Sequence, residues 1–155
     1  LSSFPENNPN NQHLFMTFLE ALYGSQYEEI HQRGGDGSKA RFNGNLLLSV
    51  MVLLWLIAVL LAAMKSVPGF DEILTRFIRS IFGYSSGKTI GRLLALPALF
   101  LIYWVVQRTT GSEQQFKIKV DAFMGYPENI RKQGNRRILI PFFMLLGAVI
   151  FLALI

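Results

Sequence analysis

The stretch from Leu46 to Met64 constrains the fold of this chain more than any other. It reads LLLSVMVLLWLIAVLLAAM, nineteen residues without a charge, a proline or a glycine. As a helix it would cover ~28 Å, close to the ~30 Å hydrocarbon core of a bilayer. A core helix of a soluble protein carries a polar stripe toward water, whereas Ser49 is the single hydroxyl in this run. The stretch is therefore predicted to be a transmembrane helix.

Two further apolar runs predict two more spans. Residues 138–155 are uncharged throughout, and Pro141 falls in the first turn, where a helix tolerates it. Residues 93–106 are also uncharged but would cover only ~21 Å, so the helix must extend back to Thr89, with Arg92 reaching toward the surface. A half-helix or re-entrant segment is the alternative for this run. The predicted fold class is an all-α membrane protein with three transmembrane helices, at about 46–64, 89–106 and 138–155.

Residues 70–82, between the first two spans, have the clearest helical period in the chain. Their apolar positions recur every three or four residues, and their acidic residues precede their basic ones, as the helix dipole prefers. A helix this short and charged does not cross a bilayer. It is predicted to lie in the membrane interface, with its apolar face toward acyl chains or neighbouring helices.

Residues 1–45 are predicted to form a separate N-terminal region, before a membrane domain at 46–155. The region has a polar lead, an amphipathic helix over 14–32 and a Gly-rich linker at 34–38. The polar side of the helix carries Glu20, Glu28 and Glu29, whereas a helix on a lipid surface usually carries Lys and Arg. Docking on another protein is one explanation, and packing on the chain's own loops is the other. The predicted partner-binding residues are Phe15, Phe18, Leu19 and Leu22.

The polar loop at 107–137 is too long to be structureless. Ser112 and Gln115 fit a capping box that would open a helix, although the alternation at 116–120 also fits a short strand. We prefer the helix. Residues 127–133, which begin with proline and have glycine after them, predict a second short helix.

Positive charge is concentrated beside the apolar runs. The net charge is +5, and its placement in the loops favours topology and lipid contact over nucleic-acid binding. The N-terminal region and the second loop together hold ten Lys and Arg, against five in the first loop, so both are predicted to face the cytoplasm or an organellar matrix. A basic run before the third span is a candidate site for anionic phospholipid headgroups, or simply a topology signal. It comprises Arg131, Lys132, Arg136 and Arg137.

Residues suited to catalysis or cofactor binding are sparse. The chain has no cysteine and two histidines, and no Asp, Glu, His or Lys lies inside a predicted span. Residues 83–89 resemble a phosphate-binding loop but have three residues between the glycines instead of four, and they lack its strand. We expect no cofactor, no metal site and no catalytic role for this chain.

These features predict an accessory or structural subunit of a larger membrane complex, in a bacterial cytoplasmic membrane or an organellar inner membrane. The expected partners are other membrane-protein subunits and anionic phospholipids. The alternative is a small channel or transporter component that forms its pore by self-association. A membrane enzyme using loop acids such as Asp121 and Glu128 is a weaker third interpretation.

Overall fold

A computed structural model of the chain describes residues 16–83 and 87–155, and their secondary structure is entirely helical, as the sequence predicted. The helices are α1 (Phe18–Gln32), α2 (Ser38–Ser66), α3 (Phe70–Phe82), α4 (Gly87–Thr109), α5 (Glu113–Met124), α6 (Glu128–Arg131) and α7 (Gly134–Leu154). The polar loop forms α5 and α6, so its first part is a helix and not the alternative strand.

Two helices are long and apolar enough to cross a membrane: α2, and the stretch Glu128–Leu154 that contains α7. Only 11% and 6% of their most apolar windows are buried, whereas the core helix of a soluble protein is mostly covered. Both helices begin before their apolar runs, so the predicted boundary at residue 46 falls inside α2. In α4 the apolar part Leu94–Thr109 is shorter, and the third predicted span stays a prediction.

The three apolar helices form a bundle in which the central helix, α2, packs against both α4 and α7. Thr110, just beyond the end of α4, contacts Asn45 near the start of α2. Ile138, in the first turns of α7, shares a core cluster with Leu47 and Leu48 of α2. The start of α2, the end of α4 and the start of α7 therefore lie at one end of the bundle, with α4 antiparallel to the other two.

A polar cap covers that end of the bundle and consists of residues 16–45 and 110–137. Its central helix is α1, which packs on α5, α2 and α7. Five consecutive residues of α1, at 21–25, are buried, so the helix is enclosed on every side at its middle. A helix with one docking face would alternate buried and exposed positions instead.

Helix α3 follows the far end of α2, away from the cap. A three-residue turn with Gly69 at φ 76° separates the two helices. The helix has little contact with the rest of the described chain, and three of its large apolar side chains, Ile73, Phe77 and Ile81, are exposed. The predicted bounds of this helix, 70–82, agree with the structure.

Candidate functional site

The core of the cap depends on the close approach of α1 and α5 at Gly24. A Cβ atom built on this glycine would lie 2.0 Å from Cγ of Phe123, whose ring is fully buried. The same ring lies against Gly134 at the start of α7. Phe123 therefore fills the space between three helices, and glycines at two of the contact points make room for it.

A buried polar network joins the cap to the apolar bundle, with Asn45 at its centre. The Tyr23 hydroxyl of α1 donates to Oδ1 of Asn45 at 2.6 Å, and the Thr110 hydroxyl donates to the same oxygen at 3.3 Å. The Ser49 hydroxyl donates to the Asn45 carbonyl oxygen at 2.6 Å. These bonds connect α1, α2 and the end of α4, and they satisfy polar groups that would be costly to bury alone.

Two cations hold the turn between α4 and α5 beside this network. Nη2 of Arg41, on α2, donates to the Gly111 carbonyl oxygen at 2.8 Å. Nζ of Lys119, on α5, donates to the Thr110 carbonyl oxygen at 3.2 Å and lies 5.6 Å from the centre of the Tyr23 ring. Both side chains stabilise backbone oxygens at a chain reversal, so their charges serve the fold of the cap.

The Glu20 carboxylate connects the first turn of α1 with the segment after α5. Its Oε2 accepts from the Thr17 backbone N–H at 2.9 Å, while the Thr17 hydroxyl accepts from the Glu20 N–H at 3.3 Å. This reciprocal pair is a capping box. The Tyr126 hydroxyl donates to the same carboxylate oxygen at 3.2 Å. One side chain thus caps α1 and binds it to the rest of the cap.

The environment of the cap shifts the pKa values of two tyrosines in the same direction. Burial raises the pKa of the Tyr23 hydroxyl above its ordinary value. Burial also raises the pKa of Tyr126, and the Glu20 carboxylate beside it adds to the rise. Both hydroxyls therefore remain protonated donors throughout the neutral range.

A half-open cleft of about 530 Å³ lies on the cap between α1, the start of α2 and α5. Tyr27, Phe116 and Val120 supply its apolar lining, and charged groups of both signs complete it. One of them, Asp36, accepts from the backbone N–H and hydroxyl of Ser38, and these bonds lower the pKa of its carboxyl. Within the described residues, no three His, Asp or Glu side chains are grouped as a metal site would require.

The predicted partner-binding residues do not form an open face. Leu22 is fully buried, and Phe18 and Leu19 are half-buried against the cap core. Phe15 lies outside the described residues. The sequence left two explanations for the N-terminal helix, docking on another protein or packing on the chain itself. At Leu22 the helix packs on the chain itself, so this side chain is not available to a partner in this fold. Partner contact by Phe18 and Leu19 stays a prediction.

The predicted lipid-binding run separates into residues with different surroundings. Nη1 of Arg131 lies 2.8 Å from Oε1 of Glu28, and this ion pair is mostly buried. Lys132 forms an exposed pair with Glu128, and Arg137 donates to the Met16 carbonyl oxygen. Arg136 is exposed and has no such contact in the described part of the chain. The run is therefore not a single cationic patch.

Sequence reasoning missed the Asn45 network and the enclosure of α1. Asn45 and Ser49 are polar residues next to and inside an apolar run, and such residues often mark a buried contact between helices. The small residues Ala21, Gly24 and Ser25 in α1 were a comparable signal of close packing. The sequence matches no protein-family model, and it has no detectable similarity to a curated protein or a solved structure.

Proposed function

We propose that this chain is a multi-pass helical membrane protein that acts as a non-catalytic accessory or structural subunit of a larger integral-membrane complex. The main support is the exposure of the apolar surface of α2 and α7, which water would oppose and a bilayer would favour. The proposed location is a bacterial cytoplasmic membrane or an organellar inner membrane.

The proposed topology has three spans, in α2, α4 and α7. The chain runs along α2, back along the antiparallel α4 and again along α7, as a chain that crosses three times would. The packing of α1 on α5 fits an N-terminal region and a second loop on one side. The charge count assigns that side to the cytoplasm or matrix.

Single cysteines introduced at Ser38, Ser85 and Ser112 test this topology in sealed membranes. A membrane-impermeant maleimide added from outside should label the Ser85 variant alone, while the other two should react after the membrane is opened. The native chain has no cysteine, so the background is clean. Labelling of the Ser38 and Ser85 variants from the same side would refute the three-span topology.

The α3 helix is proposed to lie on the membrane surface at the other end of the bundle. Phe77 is exposed on its apolar side, and Thr75 is exposed on its polar side. Phe77→Asp should weaken contact with lipid by about 1–3 kcal/mol, whereas Thr75→Asp should have almost no effect. Protection of α3 amides from hydrogen exchange in vesicles would measure the difference, and equal effects would contradict the proposed orientation.

The accessory role is supported by the extent of the exposed apolar surface. Large exposed side chains lie on α4, such as Leu96 and Phe100, and on α7, such as Phe143 and Phe151. Helices of other subunits can pack on this surface, and acyl chains can cover it as well, because apolar side chains form favourable contacts with both. The same surface supports the alternative, a small channel or transporter component formed by copies of this chain.

Purification in a mild detergent separates the two functions. Stoichiometric foreign subunits that remain after size-exclusion chromatography would support the accessory role. A symmetric homo-oligomer without foreign chains would support the channel. A monomer purified from native membranes at natural abundance, with neither foreign subunits nor further copies of this chain bound to it, would contradict both proposed functions.

A further inference from the structure

The basic residues at the cap end of the bundle differ in what surrounds their charges. Four of them form ion pairs with glutamates, at N–O distances of 2.7 to 3.2 Å. These four are Arg33, Lys117, Arg131 and Lys132. Their charges are largely compensated by the cap itself, so they contribute little to the attraction of an external anion.

Arg41, Lys119 and Arg137 instead donate to backbone carbonyl oxygens, and Lys39 lies near the Asp36 carboxylate. Arg108 and Arg136 have neither kind of contact in the described residues. Both are exposed, and neither lies within salt-bridge distance of a carboxylate in residues 16–83 and 87–155. The Arg108 guanidinium lies over the ring of Trp104, 4.6 Å from its centre, and this ring is itself half-exposed. A cation–π contact orients a guanidinium but leaves its charge and most of its N–H donors available.

The two arginines lie at the same level of the bundle. Arg108 comes two residues before Thr110, which contacts Asn45 of α2. Arg136 comes two residues before Ile138, which belongs to the core cluster against which Leu47 and Leu48 of α2 pack. Both arginines therefore lie close to the level of residues 45–48 of α2, where the polar cap ends and the apolar helices begin.

An aromatic ring pair also lies near this level. The rings of Phe42, on α2, and Tyr103, on α4, are 5.6 Å apart, next in the chain to Trp104. Tryptophan and tyrosine concentrate at the depth of lipid headgroups because their rings are apolar and their N–H or O–H groups are polar. Arg108, one helical turn after Trp104, would therefore lie at the depth of lipid phosphates, and Arg136 lies at the same level of the bundle.

We propose that Arg108, positioned by Trp104, and Arg136 bind the phosphate groups of anionic phospholipids. We call these two arginines the cationic collar. This inference rests on the proposed membrane function and differs from the predicted lipid site. It leaves out Arg131 and Lys132, which form ion pairs, and Arg137, which donates to a backbone oxygen. It adds Arg108, which is absent from the predicted run. A guanidinium suits this role because its planar N–H groups match phosphate oxygens in pairs.

The chain has two tryptophans, so a Trp55→Phe background leaves Trp104 as the only indole reporter beside the collar. This protein would be reconstituted into phosphatidylcholine vesicles containing either brominated phosphatidylcholine or brominated phosphatidylglycerol. Quenching of Trp104 by each lipid gives the relative association constant of the anionic lipid. We expect a clear preference for phosphatidylglycerol, which falls about fivefold with Arg108→Gln and further with Arg136→Gln added.

The matched control removes the same charge from the cap. Lys117→Gln with Lys132→Gln should leave the preference unchanged, because both lysines are exposed and paired with glutamates. Arg108→Lys should keep part of the preference, since the charge remains but the paired N–H donors of the guanidinium are lost. An equal fall in the control variant, or a complete loss with Arg108→Lys, would overturn the proposal.

The same measurements separate this proposal from the membrane function on which it rests. If neither brominated lipid quenches Trp104, the α4 surface is not in the bilayer, and the proposed function fails. If both lipids quench it equally, the membrane function stands and the collar proposal is refuted. Inorganic phosphate at millimolar concentration and constant ionic strength should not remove the preference. Its removal would indicate a site for free anions and would overturn the assignment to lipid.

Discussion

Replacement of Gly24 by alanine tests the central contact of the cap. The added methyl group would lie 2.0 Å from Cγ of Phe123 and 2.3 Å from its Cβ and Cδ1. The Phe123 ring has no exposed surface into which it could turn. Relief therefore requires α1 and α5 to separate, or the ring to leave its pocket between three helices.

Two effects of opposite sign determine the magnitude. Alanine is a better helix former than glycine, which by itself would stabilise α1 by about 1 kcal/mol. Overpacking a closed core typically costs about 1–3 kcal/mol. Because two ring atoms and the Cβ of Phe123 would lie within 2.3 Å of the new methyl group, we place the cost at the upper end. The expected net change is a loss of about 1–2 kcal/mol in the stability of the cap.

Amide hydrogen exchange in detergent or lipid discs measures this loss helix by helix. A change of this size speeds exchange of the α1 and α5 amides about 5- to 30-fold if exchange follows opening of the cap. The apolar half of α2 should be unaffected. Gly147→Ala is the control, since a methyl group on this α7 glycine meets nothing within 4 Å in the described structure.

The Phe123→Ala substitution completes a double-mutant cycle. Alone it should cost about 3–5 kcal/mol through the cavity it leaves. In the Gly24→Ala background the methyl group partly fills that cavity, so the combined loss should be smaller than the sum by about 1 kcal/mol or more. Slower α1 exchange in Gly24→Ala, or strict additivity of the two changes, would refute the packing of Gly24 on Phe123.

Three further substitutions probe the polar contacts of the cap by the same exchange measurement. Arg131→Gln leaves Glu28 mostly buried without its cation and should lower the stability of the cap by about 1–3 kcal/mol. Arg33→Gln, in an exposed pair, should lower it by less than about 0.5 kcal/mol. Equal losses would contradict the difference in burial between the two pairs. Asn45→Leu removes the acceptor of a buried tyrosine hydroxyl, so it should destabilise α1 by about 1–3 kcal/mol, and an unchanged α1 would contradict the network. A raised tyrosine pKa stabilises the fold below pH ~10, and this contribution is lost as the pH rises through the folded-state pKa. Tyr126→Phe should therefore reduce the alkaline loss of cap stability, and an identical pH profile would contradict the raised pKa.

Local patterns predicted the individual helices well. The bounds of α3 follow from its period and from the glycines on either side. For α5 the sequence left a strand open, because Phe116, Ile118 and Val120 alternate. The structure buries Phe116 and Val120 and leaves Ile118 exposed, as a helix packed on one side requires.

Contacts between distant segments were harder to predict. The partner of Arg131 is 103 residues away, and no local pattern connects the two. The enclosure of α1 was also missed, because its apolar period predicts one buried face, whereas its small residues admit α5 on another. The capping box at Thr17 and Glu20 was visible in the sequence as a Thr-x-x-Glu motif, although we expected the helix to begin earlier.

The continuity of α2 makes the cap and the longest apolar helix mechanically one body. At 29 residues α2 is about 43 Å long, and the cap encloses its first two turns at Ala40, Gly44 and Asn45. A hydrocarbon core of about 24 Å would be matched by the ~28 Å apolar run at a tilt of about 30°. Because the cap packs on the first two turns of α2, the cap would tilt together with this helix. Bilayer thickness would then set the angle at which the cap faces its surroundings.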